Sequence, residues 1–365
     1  MDCKSRQAAL RERLATTRFD ALLVSHLPNI RYLCGFTGSA GLLLVQESGS
    51  VFFTDVRYAT QAREEVKGAK VVIAKGSPRV AAAEWISARR KKSRSRAPFA
   101  LGIEADYLTV AEKSRMTELL PSGIRLRPAS SLVERLRMRK DSGELESIRA
   151  AVALGATLFD RALQVIRPGV KETEVAAAME YLARSAGATE MSFPTIIASG
   201  ARSAMPHGRA SSQAIAAGGF VVCDFGVILA GYCSDQTRTV WVGSVPDDAR
   251  RGYEAVKDAQ QAAIDVVRPG VTTGEVDAAA RKVLQKAGLG RYFTHSTGHG
   301  VGLEIHEAPR VAAGQQELLQ PGMVITIEPG VYFPGKWGIR IEDMVVVTEQ
   351  GCDVLTPTGK DFLAV

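Results

Sequence analysis

Histidine and cysteine are scarce in this chain of 365 residues, with five of each. The cysteines stand at 3, 34, 223, 233 and 352, an odd number with no CxxC pair. That argues against a disulfide framework and for a reducing, cytoplasmic setting. Long apolar runs are also missing: none approaches the ~18 residues that a membrane span needs. The opening stretch MDCKSRQAALRERL reads as a charged amphipathic helix and not as a signal peptide. Charge is plentiful but unevenly placed. Residues 1–130 hold 22 Lys+Arg against 12 Asp+Glu (+10), whereas residues 131–365 hold 24 against 27 (−3). The basic run ARRKKSRSR at 88–96 has no interleaved aromatics and no nucleic-acid motif around it. It reads as a solvated helix end and loop, and no nucleic-acid partner is expected.

The length suggests two domains. In the first third, apolar runs at 21–25, 41–45, 51–55, 70–74 and 99–104 read as strands. Helical stretches at 5–16, 58–66, 80–91 and 109–119 lie between or beside them, giving an α/β layered domain over 1–130. The remainder, 131–365, contains an internal repeat. VIRPGVKETEVAAAMEYLARSAG begins at Val165 and VVRPGVTTGEVDAAARKVLQKAG at Val266, in register at an offset of 101. In each copy Pro-Gly makes a turn, a polar residue caps a helix, and a glycine (Gly187 or Gly288) ends it. Two similar α+β halves related by pseudo-two-fold symmetry are expected, with a site where they meet. Strands follow each helix pair: a hairpin over 218–243 turning near Leu229–Gly231, and strands at 323–333 and 338–348.

Those strands carry acids. Asp224 and Asp235 lie nearly equidistant from the hairpin turn and should sit roughly opposite each other on one face. Glu328 falls in TIEPG and Glu342 in IRIEDM, where Ile339 and Ile341 should face away from Arg340 and Glu342. Asp is a poor strand residue, and four acids in one core repel each other without countercharge. A pair of metal ions resolves this, and the hard ligand set suits Mn²⁺, Co²⁺ or Zn²⁺. Three of the five histidines fall in HSTGHGVGLEIHE, residues 295–307. His299, between glycines that permit close backbone approach, best completes a dinuclear site. His306 could meet substrate oxygen, and His295 could bind substrate or support a ligand. His207, in the loop before the hairpin, should cover the site. Cys233, two residues from Asp235, is expected near the metals without binding them.

The segments CDFGVILAGYCSDQTRT, HSTGHGVGLEIHE, TIEPGVY and GIRIEDM resemble those of the pita-bread metallopeptidases. SGARSAMPHGRAS, NIRYLCGFTGSAGLLLV and FTDVRYATQA are similar to the proline-specific branch, aminopeptidase P and prolidase. Creatinase shares the fold but not the metal set, and methionine aminopeptidases usually lack the N-terminal domain. The resemblance implies a creatinase-type N-terminal domain and a pita-bread catalytic domain. It assigns Asp224, Asp235, His299, Glu328 and Glu342 to two divalent metals, and His207, His306 and Arg340 to substrate and the tetrahedral intermediate. Glu328 would also carry the proton. The implied activity is an Xaa-Pro metallopeptidase for short peptides with proline second, leaning toward aminopeptidase P, with prolidase as the alternative. A homodimer is expected, with the N-terminal domain narrowing the active-site mouth. A metal-free peptide-binding module on the same fold is the competing class, and the complete acid set argues against it.

Overall fold

A computed structural model describes residues 2–92 and 98–365. Residues 93–96 of the basic run, read above as a solvated loop, lie outside the described residues. The chain divides into two compact units, Met1–Arg137 and Met138–Val365.

The first unit holds strands β1 (Ala21–Val24), β2 (Leu42–Gln46), β3 (Gly49–Asp55), β4 (Ala69–Ala74), β5 (Phe99–Glu104) and β6 (Ile124–Ala129) in one sheet. Their order is β4-β3-β2-β1-β5-β6. Leu23, Leu44, Phe53 and Leu101 form its core with Ala82, Ile86 and Met116 of the covering helices. Five strands coincide with the apolar runs. The sixth, β6, is an edge strand in which Arg125, Arg127 and Pro128 break the apolar pattern, as an edge position tolerates. The unit extends past the expected boundary at residue 130 because the helix Glu134–Arg137 is tied into it. Asn29 Nδ2 donates to Glu134 at 2.6 Å, and Arg137 Nη1 donates to Asn29 Oδ1 at 2.8 Å.

In the second unit, helices Ser142–Val165 and Glu172–Ser185 pack on strands β7 (Glu190–Met191), β8 (Ile196–Ser199), β9 (Gly219–Phe225), β10 (Val227–Leu229), β11 (Tyr232–Cys233) and β12 (Gln236–Val242). Helices Asp247–Val266 and Thr273–Lys286 pack on β13 (Gly298–Gly300), β14 (Glu307–Val311), β15 (Val324–Ile327), β16 (Gly330–Phe333), β17 (Trp337–Arg340), β18 (Asp343–Val347) and β19 (Cys352–Val354). Each half has its own core, around Leu158, Val175, Met179 and Val221 in one and around Val256, Val276, Leu284 and Ile325 in the other. The copies differ at their helix starts. Thr272 forms a capping box with Glu275, whereas its counterpart Lys171 makes no side-chain cap. Gly187 and Gly288 both end helices with positive φ, 96° and 74°.

The long strands expected from the sequence are interrupted. Glu328 and Pro329 separate β15 from β16, and Ile341 and Glu342 separate β17 from β18. Ser234 and Asp235 likewise separate β11 from β12. Three candidate acids therefore sit at strand breaks and not within strand faces. The halves join through an apolar seam of Ile148, Val152, Tyr232, Cys233, Val324 and Met344. Beside it, Glu342 N–H donates to the Thr237 carbonyl at 3.1 Å. No helix among the described residues is long and apolar enough to cross a membrane.

Candidate functional site

Asp224 is the penultimate residue of β9 and pairs with Thr237 of β12. The register continues to Ser234, whose N–H donates to the Val227 carbonyl at 2.9 Å. Asp235 is thus level with Gly226 and diagonal to Asp224 on the same face, a refinement of the rough opposition expected. Gly226 is needed there, because a Cβ would stand 1.8 Å from the Ser234 carbonyl oxygen. Ala230 (φ 50°) and Gly231 (φ 85°) make the tight hairpin turn beyond.

His299 is the middle residue of β13. A Cβ on Gly298 would lie 2.0 Å from the Thr326 carbonyl oxygen, so glycine lets β13 lie close to its neighbour. His299 Nδ1 is 3.0 Å from the Gly300 carbonyl, which places the proton on Nδ1. Nε2 then offers its lone pair toward Asp235 Oδ2 at 3.6 Å and Glu328 Oε1 at 3.4 Å. Thr237 Oγ1 donates to Glu342 Oε2 at 2.7 Å, and Thr326 Oγ1 donates to Glu328 Oε1 at 3.3 Å. Ligand atoms of Asp235, His299 and Glu342 all lie within 4.8 Å of one another.

The electrostatics of this cluster are unfavourable as it stands. Asp224, Asp235 and Glu342 are buried. Burial, then the carboxylates of Glu342, Asp224 and Glu328, push the Asp235 carboxyl well above its usual range. Burial and the carboxylates of Glu328 and Asp224 do the same to Glu342. Glu328 is pushed up to about 8 by burial, against the pull of Arg340. Burial, then His306, push the His299 imidazole down to about 4, so it is neutral. Asp224 Oδ1 and Glu342 Oε1 are buried with no hydrogen-bond partner among the described residues. Unsatisfied carboxyl oxygens beside a neutral imidazole lone pair are the donor set a hard divalent cation requires. The five residues fit such a group.

Arg340 and Glu342 face this cluster, while Ile339 and Ile341 lie in the core. Arg340 is buried and committed to protein partners. It donates to Thr237 Oγ1 (3.1 Å), Tyr332 Oη (2.8 Å), the Pro206 carbonyl (3.0 Å) and Asp224 Oδ2. Through Pro206 it holds the loop that carries His207, which is exposed. His306 is exposed too, its ring centroid 4.3 Å from that of His299. The protein around it and the charge of His207 lower its pKa.

His295 does not turn toward an open site. Its Nδ1 is 2.8 Å from the Ser296 carbonyl and its Nε2 2.9 Å from Tyr332 Oη, so both ring nitrogens are engaged. Burial and Arg340 push it down to about 4. It supports Tyr332, which in turn holds Arg340. Cys233 packs in the apolar seam. Sequence reasoning missed Tyr332, Thr237 and Thr326, whose only signal is proximity in sequence to the acids. It also missed Arg310, which is exposed and directly across the β13–β14 pair from His299.

A family model described as metallopeptidase family M24 matches residues 146–349, and one described as the creatinase/prolidase N-terminal domain matches residues 6–139. The Xaa-Pro dipeptidase of Pyrococcus horikoshii is 37% identical over 348 residues, covering 94% of either chain. The solved Xaa-Pro dipeptidase from Bacillus anthracis superposes with a TM-score of 0.94 at 38% identity, covering 100% of both chains. The X-Pro aminopeptidase from Thermotoga maritima gives a TM-score of 0.87 at 35% identity, covering 97% of this chain and 99% of that one. Dipeptidases weigh more heavily in these similarities, and the expected leaning toward aminopeptidase P is not upheld.

Proposed function

The chain belongs to metallopeptidase family M24, a family of metal-dependent hydrolases, and on that premise we propose that it is a prolidase, cleaving Xaa-Pro dipeptides. The observation that carries this reading is the buried acid cluster with its unpartnered oxygens, in a chain similar over nearly its whole length to Xaa-Pro dipeptidases. Asp224, Asp235, His299, Glu328 and Glu342 would hold two divalent cations, Mn²⁺ first and Co²⁺ or Zn²⁺ as alternatives. Such ions, when bound, supply a low-pKa water and polarise a carbonyl.

The chain's own groups supply the rest. His207 and His306 would donate hydrogen bonds to the oxygen that becomes negative as the carbonyl before proline is attacked. Glu328, beside the cations it would help to hold, would accept a proton and pass it to the proline nitrogen. That nitrogen carries no N–H in the substrate, so binding must rely on other groups. A dipeptide places a carboxylate close to the scissile bond. Arg310, opposite His299 and facing away from the core that holds Val311, is the cation we assign to it. Arg340 works indirectly, fixing Asp224 and the His207 loop. We extend the reading to a cytoplasmic homodimer. The absence of disulfides among the described cysteines supports the compartment, and the family resemblance supports the dimer, which sedimentation would measure.

The test compares an Xaa-Pro dipeptide with the corresponding Xaa-Pro-Xaa tripeptide, with Mn²⁺, Co²⁺ or Zn²⁺ restored in turn. A prolidase favours the dipeptide in kcat/KM, and Arg310→Ala raises KM for it. Preference for the tripeptide would make the protein an aminopeptidase instead.

A further inference from the structure

Behind the acid cluster lies a second buried ionic group. Arg238 follows Thr237 on β12, so its side chain leaves the opposite face from the acids. It is fully buried, yet its guanidinium finds five acceptors. Nε donates to the Gly359 carbonyl at 2.9 Å. Nη1 donates to the Thr237 carbonyl at 2.9 Å and the Glu342 carbonyl at 2.6 Å. Nη2 donates to Asp343 Oδ1 at 2.6 Å and the Thr358 carbonyl at 2.6 Å. A guanidinium has five N–H groups, and here each has a partner. Asp343 is satisfied in turn: its Oδ2 accepts from Gln260 Nε2 at 2.9 Å and lies 3.0 Å from Lys360 Nζ.

The position of this guanidinium gives it a role. Thr237 and Glu342 lie in different halves of the second unit and meet at a single bridge. Their side chains share the hydrogen bond that orients the Glu342 carboxylate. Arg238 holds the carbonyls of both residues with one nitrogen, so the spacing of the two halves at this acid depends on a rigid planar fork. Its remaining bonds go to the Asp343 carboxylate and to the carbonyls of Thr358 and Gly359.

We infer that Arg238 is a positioning residue for the metal centre. It sets the place of Glu342 and Thr237 through their carbonyls and makes the segment Thr358–Lys360 part of the frame of the site. Arg238 cannot touch substrate, since it is enclosed behind the strands. The inference rests on reading the acid cluster as a metal centre. It adds that affinity for the metal is set partly by a residue that ligates nothing, as outer partners of ligands commonly do to the extent of ~10–100-fold. Lysine keeps the charge but presents no planar fork, so it cannot hold both carbonyls at once.

The experiment titrates Co²⁺ into full-length metal-free protein, following heat of binding and visible absorption. Wild type must bind first; if it does not, the metal reading fails and the role of Arg238 is moot along with it. Given binding by wild type, Arg238→Lys is expected to bind about 10-fold more weakly or worse, with an altered Co²⁺ spectrum. Leu284→Ala, in the core of the second half and remote from this network, serves as a control for lost stability and should keep the wild-type affinity and spectrum. If circular dichroism shows Arg238→Lys to be unfolded, Asp343→Asn replaces it, loosening the fork by one charged partner, with several-fold weaker binding expected. Wild-type affinity and spectrum in the folded variant would overturn the inference, and so would an equal loss in Leu284→Ala.

Discussion

Glu342 and Asp343 are adjacent in sequence and equally buried, each 1% exposed. Their surroundings differ completely. Asp343 accepts from Arg238 and Gln260 and lies against Lys360, so both of its oxygens are answered by the protein. Glu342 has one oxygen bonded to Thr237 and the other bonded to nothing among the described residues. Its nearest charges include the like charges of Glu328 and Asp224. Burial therefore does not tell a structural acid from a functional one; satisfaction does. A buried carboxylate with matched cations and donors is a strut. One left with a bare oxygen beside other acids marks a place for a ligand.

The comparison is broken most severely by taking the ligand away. Chelation should abolish turnover, because the five residues that include Glu342 cannot activate water without cations, while the group around Asp343 is complete without them. Restoring Mn²⁺, Co²⁺ or Zn²⁺ should recover activity. Full turnover in a preparation shown by elemental analysis to be metal-free would remove the ground for reading Glu342 and Asp343 as different kinds of acid.

Smaller effects separate groups within the site. Asp235→Ala should lose metal and activity together. His306→Ala should keep its metal and turn over at least ~10²-fold more slowly, the low end for loss of an oxyanion donor. Metal content measured beside kcat decides this. If His306→Ala protein lost its metal, the two roles would be misassigned.

Much of this site could be read from the residues alone. Asp224 and Asp235 stand out because Asp is rare in strands, and three histidines in 295–307 stand out in a chain with five. Alternation placed Glu342 and Arg340 on one face. Asp343 was not singled out, because its partners Arg238, Gln260 and Lys360 come from three distant segments, which no local pattern brings together. The partner of His295 was hidden for a similar reason. The spacing of this histidine from His299 suggested a shared purpose, but its ring is taken by Tyr332, from another strand. The interruption of the strands at Glu328 and Glu342 was hidden because apolar residues flank each acid on both sides, which alternation reads as one continuous strand. Strand β6 was hidden by the opposite cause, since its arginines and proline look like loop.

The smallest predicted effect is the response of the metal-free protein to pH, and it distinguishes the two acids most directly. Asp235, Glu328 and Glu342 have carboxyls raised above their usual range by burial and by each other, with Glu328 at about 8. A carboxyl whose folded-state pKa is raised holds its proton in the native state after the unfolded chain has lost it. The native form then binds more protons than the unfolded form, so stability falls as pH rises. For Glu328 that fall begins near its ordinary value of 4.5 and ends near 8. Each proton so held contributes a slope of up to about 1.4 kcal/mol per pH unit. Thermal melts of metal-free protein between pH 5 and 8, converted to stability, should show the decline, and saturating metal should abolish it by replacing the protons. Glu342→Gln should flatten the slope, because it removes one proton-holding acid and relieves repulsion on the others. Asp343→Asn should lower stability across the whole range but leave the slope unchanged, since the charge of Asp343 is already matched by Arg238 and Lys360. A steeper fall for Asp343→Asn than for wild type, or an unchanged slope in Glu342→Gln, would mean that the unsatisfied oxygens do not govern the site.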